Sequence, residues 1–175
     1  TGIGAATAIA FAKKGSKVLV NYNRSEAKAN QVVKSIKDLG GDAFALQGDA
    51  SLESDMQKLI DSTVSEFGEL NILINNAGGM IERAKIEEIN ESLFIDVFNL
   101  NCKSVMLGTK IATNVFRKQK KGGCIINTSS IAARIGGSMG AVFYSSSKAW
   151  VSTFTRGMAR ELLTDNIRVN AVAPG

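Results

Sequence analysis

The sequence contains no histidine, two cysteines and a single proline among its 175 residues. Without histidine, acid–base chemistry must use other side chains, and the most frequent metal ligand is missing. Cys102 and Cys124 form no CxxC pair, so we expect no metal site and two buried thiols in a reducing, cytoplasmic compartment. No apolar run approaches the roughly 20 residues that cross a bilayer, and no basic-then-apolar leader is visible, so no membrane partner is expected.

Acidic residues are fewer than basic ones, which gives a formal net charge of +5. The densest basic run, residues 117–121, precedes two glycines and resembles a helix C-terminus, where cations suit the helix dipole. Nucleic-acid binding favours basic residues that are interleaved with aromatics or spread along a face. We therefore expect a solvated helix end and no nucleic-acid partner, while the positive balance favours a phosphate-bearing ligand.

Short apolar segments alternate with longer helical segments along the whole chain. The predicted strands cover residues 17–23, 42–47, 70–75, 124–128 and 167–172. The predicted helices cover about 5–12, 26–39, 52–67, 91–118 and 144–163, with Ser25 and Ser51 as N-caps. This alternation predicts an α/β fold, a Rossmann-like, doubly wound parallel sheet with helices on both faces. No repeat or linker divides the chain, so residues 1–175 are expected to form a single domain.

Polar residues and glycines gather at the carboxyl ends of the predicted strands. They are Asn23-Arg24-Ser25, Asp49, Asn75-Asn76-Ala77-Gly78, Thr128-Ser129-Ser130 and Pro174-Gly175. Each group alone is compatible with ordinary turn chemistry. In an open α/β sheet, however, the ligand site lies beyond the carboxyl ends of the strands. Together the groups predict one cleft that all of them line.

Tyr144 and Lys148 lie four residues apart in a predicted helix, so both side chains share one face. A cation held near a phenol favours the phenolate and lowers a pKa that is normally about 10. Such a pair supplies a proton-transfer group without histidine. The same spacing also arises by chance on surface helices, so the pair alone leaves a partly solvated contact as an alternative.

The combination of Asn75-Asn76-Ala77-Gly78, Ser129-Ser130, Tyr144-xxx-Lys148 and Pro174-Gly175 resembles the short-chain dehydrogenase/reductase family. The resemblance covers essentially the whole chain and is strongest to 3-oxoacyl-[acyl-carrier-protein] reductase-like members. It implies an NAD(P)-dependent enzyme that interconverts a ketone and a secondary alcohol by hydride transfer. It also implies a homo-oligomer, a dimer or tetramer, assembled through the helices near residues 91–118 and 149–163.

The same resemblance assigns roles to individual residues. The catalytic residues would be Tyr144 as acid/base, Lys148 lowering its pKa and holding the nicotinamide ribose, Ser130 on the substrate oxygen, and Asn101 anchoring a proton-relay water. The cofactor would contact Gly2, Ile3 and Gly4 at the pyrophosphate, Asp49 and Ala50 at the adenine, Asn76, Ala77 and Gly78 near the adenosine, and Thr128, Pro174 and Gly175 at the nicotinamide.

Three features depart from the family pattern. The chain begins inside the glycine fingerprint and stops at Pro174-Gly175, so the first, central strand and the C-terminal portion are expected to be missing, by truncation or incomplete representation. The interval from Ser130 to Tyr144 is longer than usual, which leaves Ser129 or Ser138 as alternative serines. Cys102 and Lys103 replace the small residues that usually follow the asparagine.

The end of the first predicted strand bears on the choice of cofactor. An acidic residue there would bond the ribose 2′-hydroxyl of NAD. Here Asn23, Arg24 and Ser25 precede the first acid, Glu26, and Arg24 with Ser25 suits a 2′-phosphate. This favours NADP(H), with NAD(H) as the alternative. Other open functions are a polyol or sugar dehydrogenase and, from another class, a non-catalytic dinucleotide-binding protein.

Overall fold

The computed structural model describes all 175 residues, and its five strands are short and parallel, with helices between them. The chain divides into two compact units, Thr1–Glu69 and Leu70–Gly175. The predicted α/β class and parallel strand pairing are confirmed. The single domain expected from the sequence stays a prediction. None of the helices combines the length and the hydropathy that crossing a bilayer requires.

The first unit is a pair of parallel strands with three helices. Its elements are helix α1 (Gly2–Ala12), strand β1 (Val18–Tyr22), helix α2 (Glu26–Asp38), strand β2 (Ala43–Gln47) and helix α3 (Glu53–Phe67). Strands β1 and β2 pair with Val18 opposite Ala43. Apolar side chains of α1, α2 and β2 form its core, which contains Ala12, Val32, Val33, Ile36 and Ala43. Removal of these side chains from water stabilises the unit.

The second unit contains a three-stranded parallel sheet in the order β3-β4-β5. Its elements are strand β3 (Ile72–Asn75), helix α4 (Glu91–Phe98), helix α5 (Ser104–Gln119), strand β4 (Gly123–Thr128), helix α6 (Ala132–Ile135), helix α7 (Val142–Glu161) and strand β5 (Ile167–Val172), with short 3-10 turns at Ile86–Glu88 and Leu163–Asp165. Ile125, in the central strand, is fully buried. Strand β5 alternates instead, with Ile167 and Val169 buried and Arg168 and Asn170 exposed.

The strands pair in two groups, β1 with β2 and β3-β4-β5. Two details of the sequence prediction are wrong. Helix α3 begins after Leu52 rather than after Ser51, because the Ser51 amide and hydroxyl bond Asp49 Oδ1 at 2.8 and 2.7 Å. The long helix predicted over 91–118 is interrupted by a π-helical turn, Asn99–Lys103, between α4 and α5. Ser25 does occupy the N-cap of α2, although its side chain makes no capping bond.

A buried chain of hydrogen bonds joins β3, β4 and α7. Asn75 Nδ2 donates to Asn127 Oδ1 at 2.8 Å, and Asn127 Nδ2 donates to Thr155 Oγ1 at 2.9 Å. Thr155 Oγ1 in turn donates to the Val151 carbonyl at 2.7 Å. Gly108 of α5 leaves room for this chain, since a Cβ there would overlap Asn75 Oδ1. The network fixes the strands and α7 in one register at the carboxyl ends of the strands.

Replacing Asn127 by leucine is expected to lower the free energy of unfolding by about 2–4 kcal/mol, because it leaves the buried Asn75 Nδ2 without an acceptor and removes the donor to the buried Thr155 Oγ1. Urea denaturation measures the change. The control is Asn114→Leu on the exposed side of α5, which should change the same quantity by less than about 0.5 kcal/mol. A loss below about 1 kcal/mol for the Asn127 variant would show that the network contributes little.

Candidate active site

Tyr144 lies in the first turn of α7, and Lys148 follows one turn later on the same face. The Lys148 Nζ atom lies 5.8 Å from the centroid of the Tyr144 ring. Lys148 is 3% exposed, whereas Tyr144 is half-buried. The Tyr144 hydroxyl forms no hydrogen bond with the protein. The phenol therefore faces solvent with its donor and acceptor available to a ligand, above a buried cation.

Lys148 is held in place by a main-chain carbonyl. Its Nζ donates to the Thr128 carbonyl oxygen at 2.8 Å, at the carboxyl end of β4. Burial lowers the pKa of Lys148, and the neighbouring Cys102 opposes this lowering in part. Burial also raises the pKa of the Cys102 thiol to about 11, so the thiol is neutral near pH 7. An ammonium group has three N–H donors, and the carbonyl uses only one of them.

Asn101 lies in the π-helical turn and is fully buried. Its Oδ1 accepts a hydrogen bond from the Gly79 amide at 2.8 Å, and its Nδ2 donates to the Gly79 carbonyl at 3.0 Å. A Cβ on the neighbouring Gly78 would lie 2.7 Å from Asn101 Oδ1 and 2.8 Å from Lys148 Nζ. Gly78 also has φ +154°, where side chains are rarely tolerated. The π turn thus brings Asn101, Lys148 and the segment after β3 together, and such turns are frequent at functional sites.

The three candidate serines differ in what their hydroxyls contact. Ser129 is buried, its Oγ donates to the Lys148 carbonyl at 2.9 Å, and it lies 2.7 Å from Ser152 Oγ. Ser138 is exposed, and its Oγ accepts a hydrogen bond from Arg83. Ser130 is half-buried, and its Oγ accepts from the Ala132 amide at 3.1 Å while keeping its own proton to donate. Ser130 is therefore the serine that best fits a ligand-facing role.

The C-terminal segment runs alongside the residues that follow β4. The Ser129 amide donates to the Val172 carbonyl at 2.8 Å, and the Ile131 amide donates to the Pro174 carbonyl at 2.9 Å. These bonds place Pro174 next to Ser130, with the exposed Gly175 after it. On the other side of β4, Thr128 Oγ1 lies 3.5 Å from Asn76 Oδ1, a weak contact. Ala77 follows in the same loop and makes no side-chain bond.

In the first unit, Gly2, Ile3 and Gly4 form the first turn of α1. The first amide N–H groups of a helix have no intrahelical acceptor, and the helix dipole favours an anion there. Gly2 has φ +52°, and nothing lies within 4 Å of the position its Cβ would take. The turn also lacks acidic residues. This end of α1 fits a phosphate group.

The carboxyl ends of β1 and β2 are linked by side chains. Asn23 Nδ2 donates to Asp49 Oδ2 at 3.1 Å, and Gln47 Nε2 donates to the Asn23 carbonyl at 3.0 Å. Hydrogen bonds from Ser51 lower the pKa of Asp49, so its carboxylate is ionised and oriented within the turn. Ala50 is half-buried beside it. The Asp49 side chain therefore stabilises this turn through the hydrogen bonds that it accepts from Ser51 and Asn23.

Arg24 and Ser25 are both exposed directly after β1. Neither side chain forms a hydrogen bond or an ion pair within the protein. The Arg24 charge contributes to the low pKa of Asp49 only as a minor cause. The guanidinium and hydroxyl groups are thus available to an anionic ligand at the end of the strand.

Some contacts at the site escaped sequence reasoning. Gly79 carries both hydrogen bonds of Asn101, and the Cys102 thiol lies behind Lys148, with its Sγ 3.6 Å from the Ser147 carbonyl. The sequence did point to Gly79, because it is the second of two consecutive glycines in the loop after β3. The only sequence feature that pointed to Cys102 is that it directly follows Asn101, where the family usually has a small residue.

Comparison with known proteins supports the resemblance on which the site was assigned. The family model for short chain dehydrogenase matches residues 1–175. A 3-oxoacyl-[acyl-carrier-protein] reductase from Synechocystis sp. is 40% identical over 99% of this chain and 69% of that protein. A probable tetrahydroxynaphthalene reductase from Zymoseptoria tritici is 39% identical over 99% of this chain and 64% of that protein. The chain thus spans about two thirds of the length of these curated relatives.

Solved structures agree in fold. The NADH-dependent reductase A1-R' complexed with NAD matches 100% of this chain and 74% of its own, with a TM-score of 0.94 and 37% identity. A short chain dehydrogenase from Burkholderia cenocepacia in complex with NADP matches 99% of this chain and 69% of its own, with a TM-score of 0.92 and 32% identity. The match over the whole sequence and the agreement in fold lead to one conclusion: the chain belongs to the short-chain dehydrogenase family of NAD(P)-dependent oxidoreductases.

Proposed function

We propose that the protein is an NADP-dependent oxidoreductase that interconverts a ketone and a secondary alcohol, with acyl-carrier-linked 3-oxo compounds as the first substrate class to test. The observation that carries the proposal is the buried Lys148 ammonium held 5.8 Å from the ring of Tyr144, whose hydroxyl has no protein partner. Burying a cation without a carboxylate partner is unfavourable for folding alone. Its retention beside an accessible phenol is expected of a catalytic pair.

The residues present fit a nicotinamide dinucleotide, which supplies the hydride when bound. Lys148 retains N–H donors beyond its bond to Thr128, which suits ribose hydroxyls. Gly78 presents no Cβ where Asn101 and Lys148 leave no space. The glycine-containing N-terminus of α1 suits a pyrophosphate. The other assigned contacts, at Asn23, Asp49, Ala50, Asn76, Ala77, Thr128, Pro174 and Gly175, stay predictions from the resemblance.

The chain's own residues supply the proton chemistry. Tyr144 gives its proton to the substrate oxygen during reduction and accepts it during oxidation. Ser130 donates a hydrogen bond to the same oxygen and stabilises charge that develops there. Lys148 stabilises the negative charge left on the phenol when its proton departs. Asn101 holds the Gly78-Gly79 segment beside Lys148, and the relay water assigned to Asn101 stays a prediction.

Cofactor preference is tested by Arg24→Ala/Ser25→Ala. Since both side chains are exposed and unbonded at the end of β1, their loss should leave the fold intact. We expect the KM for NADPH to rise by roughly ten- to hundredfold and the KM for NADH to change less than threefold. Lys58→Ala, an exposed site on α3, is the control and should change neither constant. Equal effects on NADPH and NADH would overturn the NADP assignment.

A polyol or sugar dehydrogenase is the second candidate, favoured by the similarity to a reductase described as responsible for alginate metabolism and to an acetoin dehydrogenase from Enterobacter cloacae. Assays of the full-length protein with short 3-oxo thioesters, sugars and polyols would separate the two enzyme candidates. Nucleotide binding without turnover of any of these would support a non-catalytic dinucleotide-binding protein. That third candidate leaves the accessible Tyr144 hydroxyl without a purpose.

We further propose a homo-oligomer, a dimer or tetramer, in the cytoplasm. On α7, the Trp150 and Phe154 rings stack at 4.7 Å with an interplanar angle of 11°, and both side chains remain half-buried. Aromatic surface of this kind is enriched at protein interfaces. Sedimentation analysis of the wild-type protein and of Trp150→Ser/Phe154→Ser measures the assembly state.

A further inference from the structure

Two loops next to Tyr144 are tied together by a single arginine. The first loop (residues 76–90) follows β3, and the second loop (residues 136–141) leads into α7. Arg83 Nη1, in the first loop, donates to Ser138 Oγ at 2.7 Å and to the Met139 carbonyl at 3.0 Å, both in the second loop. These partners are 55 and 56 residues away in sequence. The guanidinium is exposed, so the contact is a surface tie rather than part of the core.

A main-chain bond adjoins this tie. The Ala84 amide donates to the Gly140 carbonyl at 3.1 Å. Gly140 has φ +75°, and a Cβ there would lie 3.2 Å from the Ala84 nitrogen, so the close approach requires glycine. Ala84 is itself buried with Leu93 and Val97 of α4. The first loop is therefore anchored to a packed cluster, and it holds the second loop at two adjacent points.

The second loop has little to hold it by itself. Gly136, Gly137 and Gly140 all have positive φ angles, and Met139 is 82% exposed. Ordering a glycine-rich segment is entropically unfavourable, so external bonds are needed to fix one conformation. The loop is also bonded to the start of α7, because Ser145 Oγ donates to the Gly136 carbonyl at 2.6 Å. This bond connects the loop to the turn of α7 that carries Tyr144, because Ser145 directly follows Tyr144.

We propose that Arg83 is a positioning residue for catalysis, whose bonds to Ser138 and Met139 fix the second loop and thereby the position of the Tyr144 phenol. The inference rests on the proposed function. Arg83 does not need to contact substrate or cofactor. It holds the loop before α7 against the anchored first loop, and Tyr144 lines the same narrow cleft as Ala84, Gly140 and Phe143. Ser138, which the sequence leaves open as a catalytic serine, receives a structural role instead.

The test is Arg83→Ala, measured by kcat and by the separate KM values for dinucleotide and carbonyl substrate. We expect kcat to fall by roughly ten- to hundredfold through misplacement of the phenol, with the dinucleotide KM unchanged. Arg83→Lys keeps a donor and should recover part of kcat. Arg83→Ala/Ser138→Ala should lower kcat no further than Arg83→Ala does, because both substitutions remove the same hydrogen bond. Arg134→Ala, an exposed arginine at the end of α6, is the control and should retain wild-type kcat.

Hydrogen exchange gives a readout that does not depend on turnover. In Arg83→Ala, the amides of Ala84 and Ala141 should exchange faster, whereas those of β4 should not change. Unchanged exchange, unchanged kcat or an equal loss of kcat in Arg134→Ala would each overturn the proposal. If the wild-type protein turned over no carbonyl compound, the proposed function would fail. Faster exchange confined to the Arg83 variant would then still support the tie between the loops.

Discussion

Replacing Tyr144 by phenylalanine is expected to lower kcat by roughly 10²–10⁴-fold while leaving dinucleotide binding and the free energy of unfolding nearly unchanged. The hydroxyl makes no hydrogen bond with the protein, so its removal leaves no buried group without a partner. The ring remains, and its contact with Lys148 Nζ at 5.8 Å is kept. The variant therefore removes the proposed proton donor and nothing that the fold requires.

Steady-state kinetics and dinucleotide titration of the same preparation measure both expectations for Tyr144→Phe. Ser146→Ala is the matched control, because it removes an exposed hydroxyl from the same turn of α7 and should retain wild-type kcat. If Tyr144→Phe kept most of its kcat, the acid–base group would have to be another residue. If it lost dinucleotide binding as well, the phenol would have a binding role in addition.

Replacing Lys148 by methionine is expected to reduce both kcat and dinucleotide affinity, each by roughly 10²-fold or more, because in the proposed mechanism one ammonium serves both the phenol and the ribose. The free energy of unfolding should stay within about 2 kcal/mol of wild type. Methionine fills similar space and relieves the burial of a charge, while the Thr128 carbonyl loses its partner. Loss of function without loss of stability separates a catalytic lysine from a structural one.

The pH dependence of stability provides a second measurement on Lys148→Met. Burial lowers the pKa of Lys148 below its ordinary value of 10.5, so above the folded-state pKa the unfolded chain binds more protons than the folded one. The wild-type protein should therefore gain stability from this group as the pH rises through the folded-state pKa toward 10.5. Lys148→Met should lack this gain, and Lys118→Met, at an exposed site on α5, should keep it. If the free energy of unfolding changed with pH in the same way for the wild type and Lys148→Met, the lowered pKa of Lys148 would be contradicted.

The sequence predicts the strands well because each is a short, largely apolar run bounded by polar residues or glycine, and Ile125 at the centre of β4 is fully buried. It also predicts the Tyr144–Lys148 pair, since i and i+4 positions share a face wherever the segment is helical. Ser130 is predicted as a site residue because it comes shortly after the carboxyl end of β4. These features depend on local spacing, which a sequence displays.

Other features depend on contacts between distant residues and are not visible in spacing. Arg83 bonds Ser138 across 55 residues, and Asn101 bonds Gly79 across 22. The π turn at Asn99–Lys103 also escaped prediction, because the apolar periodicity continues on both sides of it. Ser51 looked like a helix cap, but the carboxylate of Asp49 binds it within a turn. In each case tertiary partners override a local preference.

The number of residues in the π turn determines how α4 and α5 are oriented about the helix axis. A π turn contains one residue more than an α-helical turn, so α4 and α5 are out of step by about 100° relative to one uninterrupted helix. Deletion of a single residue there would restore a regular helix and rotate Leu93 and Val97 away from Phe143. Asn101 would rotate about the helix axis and lose its hydrogen bond to the Gly79 amide. A one-residue deletion in this segment would therefore displace both the α4 cluster and Asn101, although it alters no other side chain.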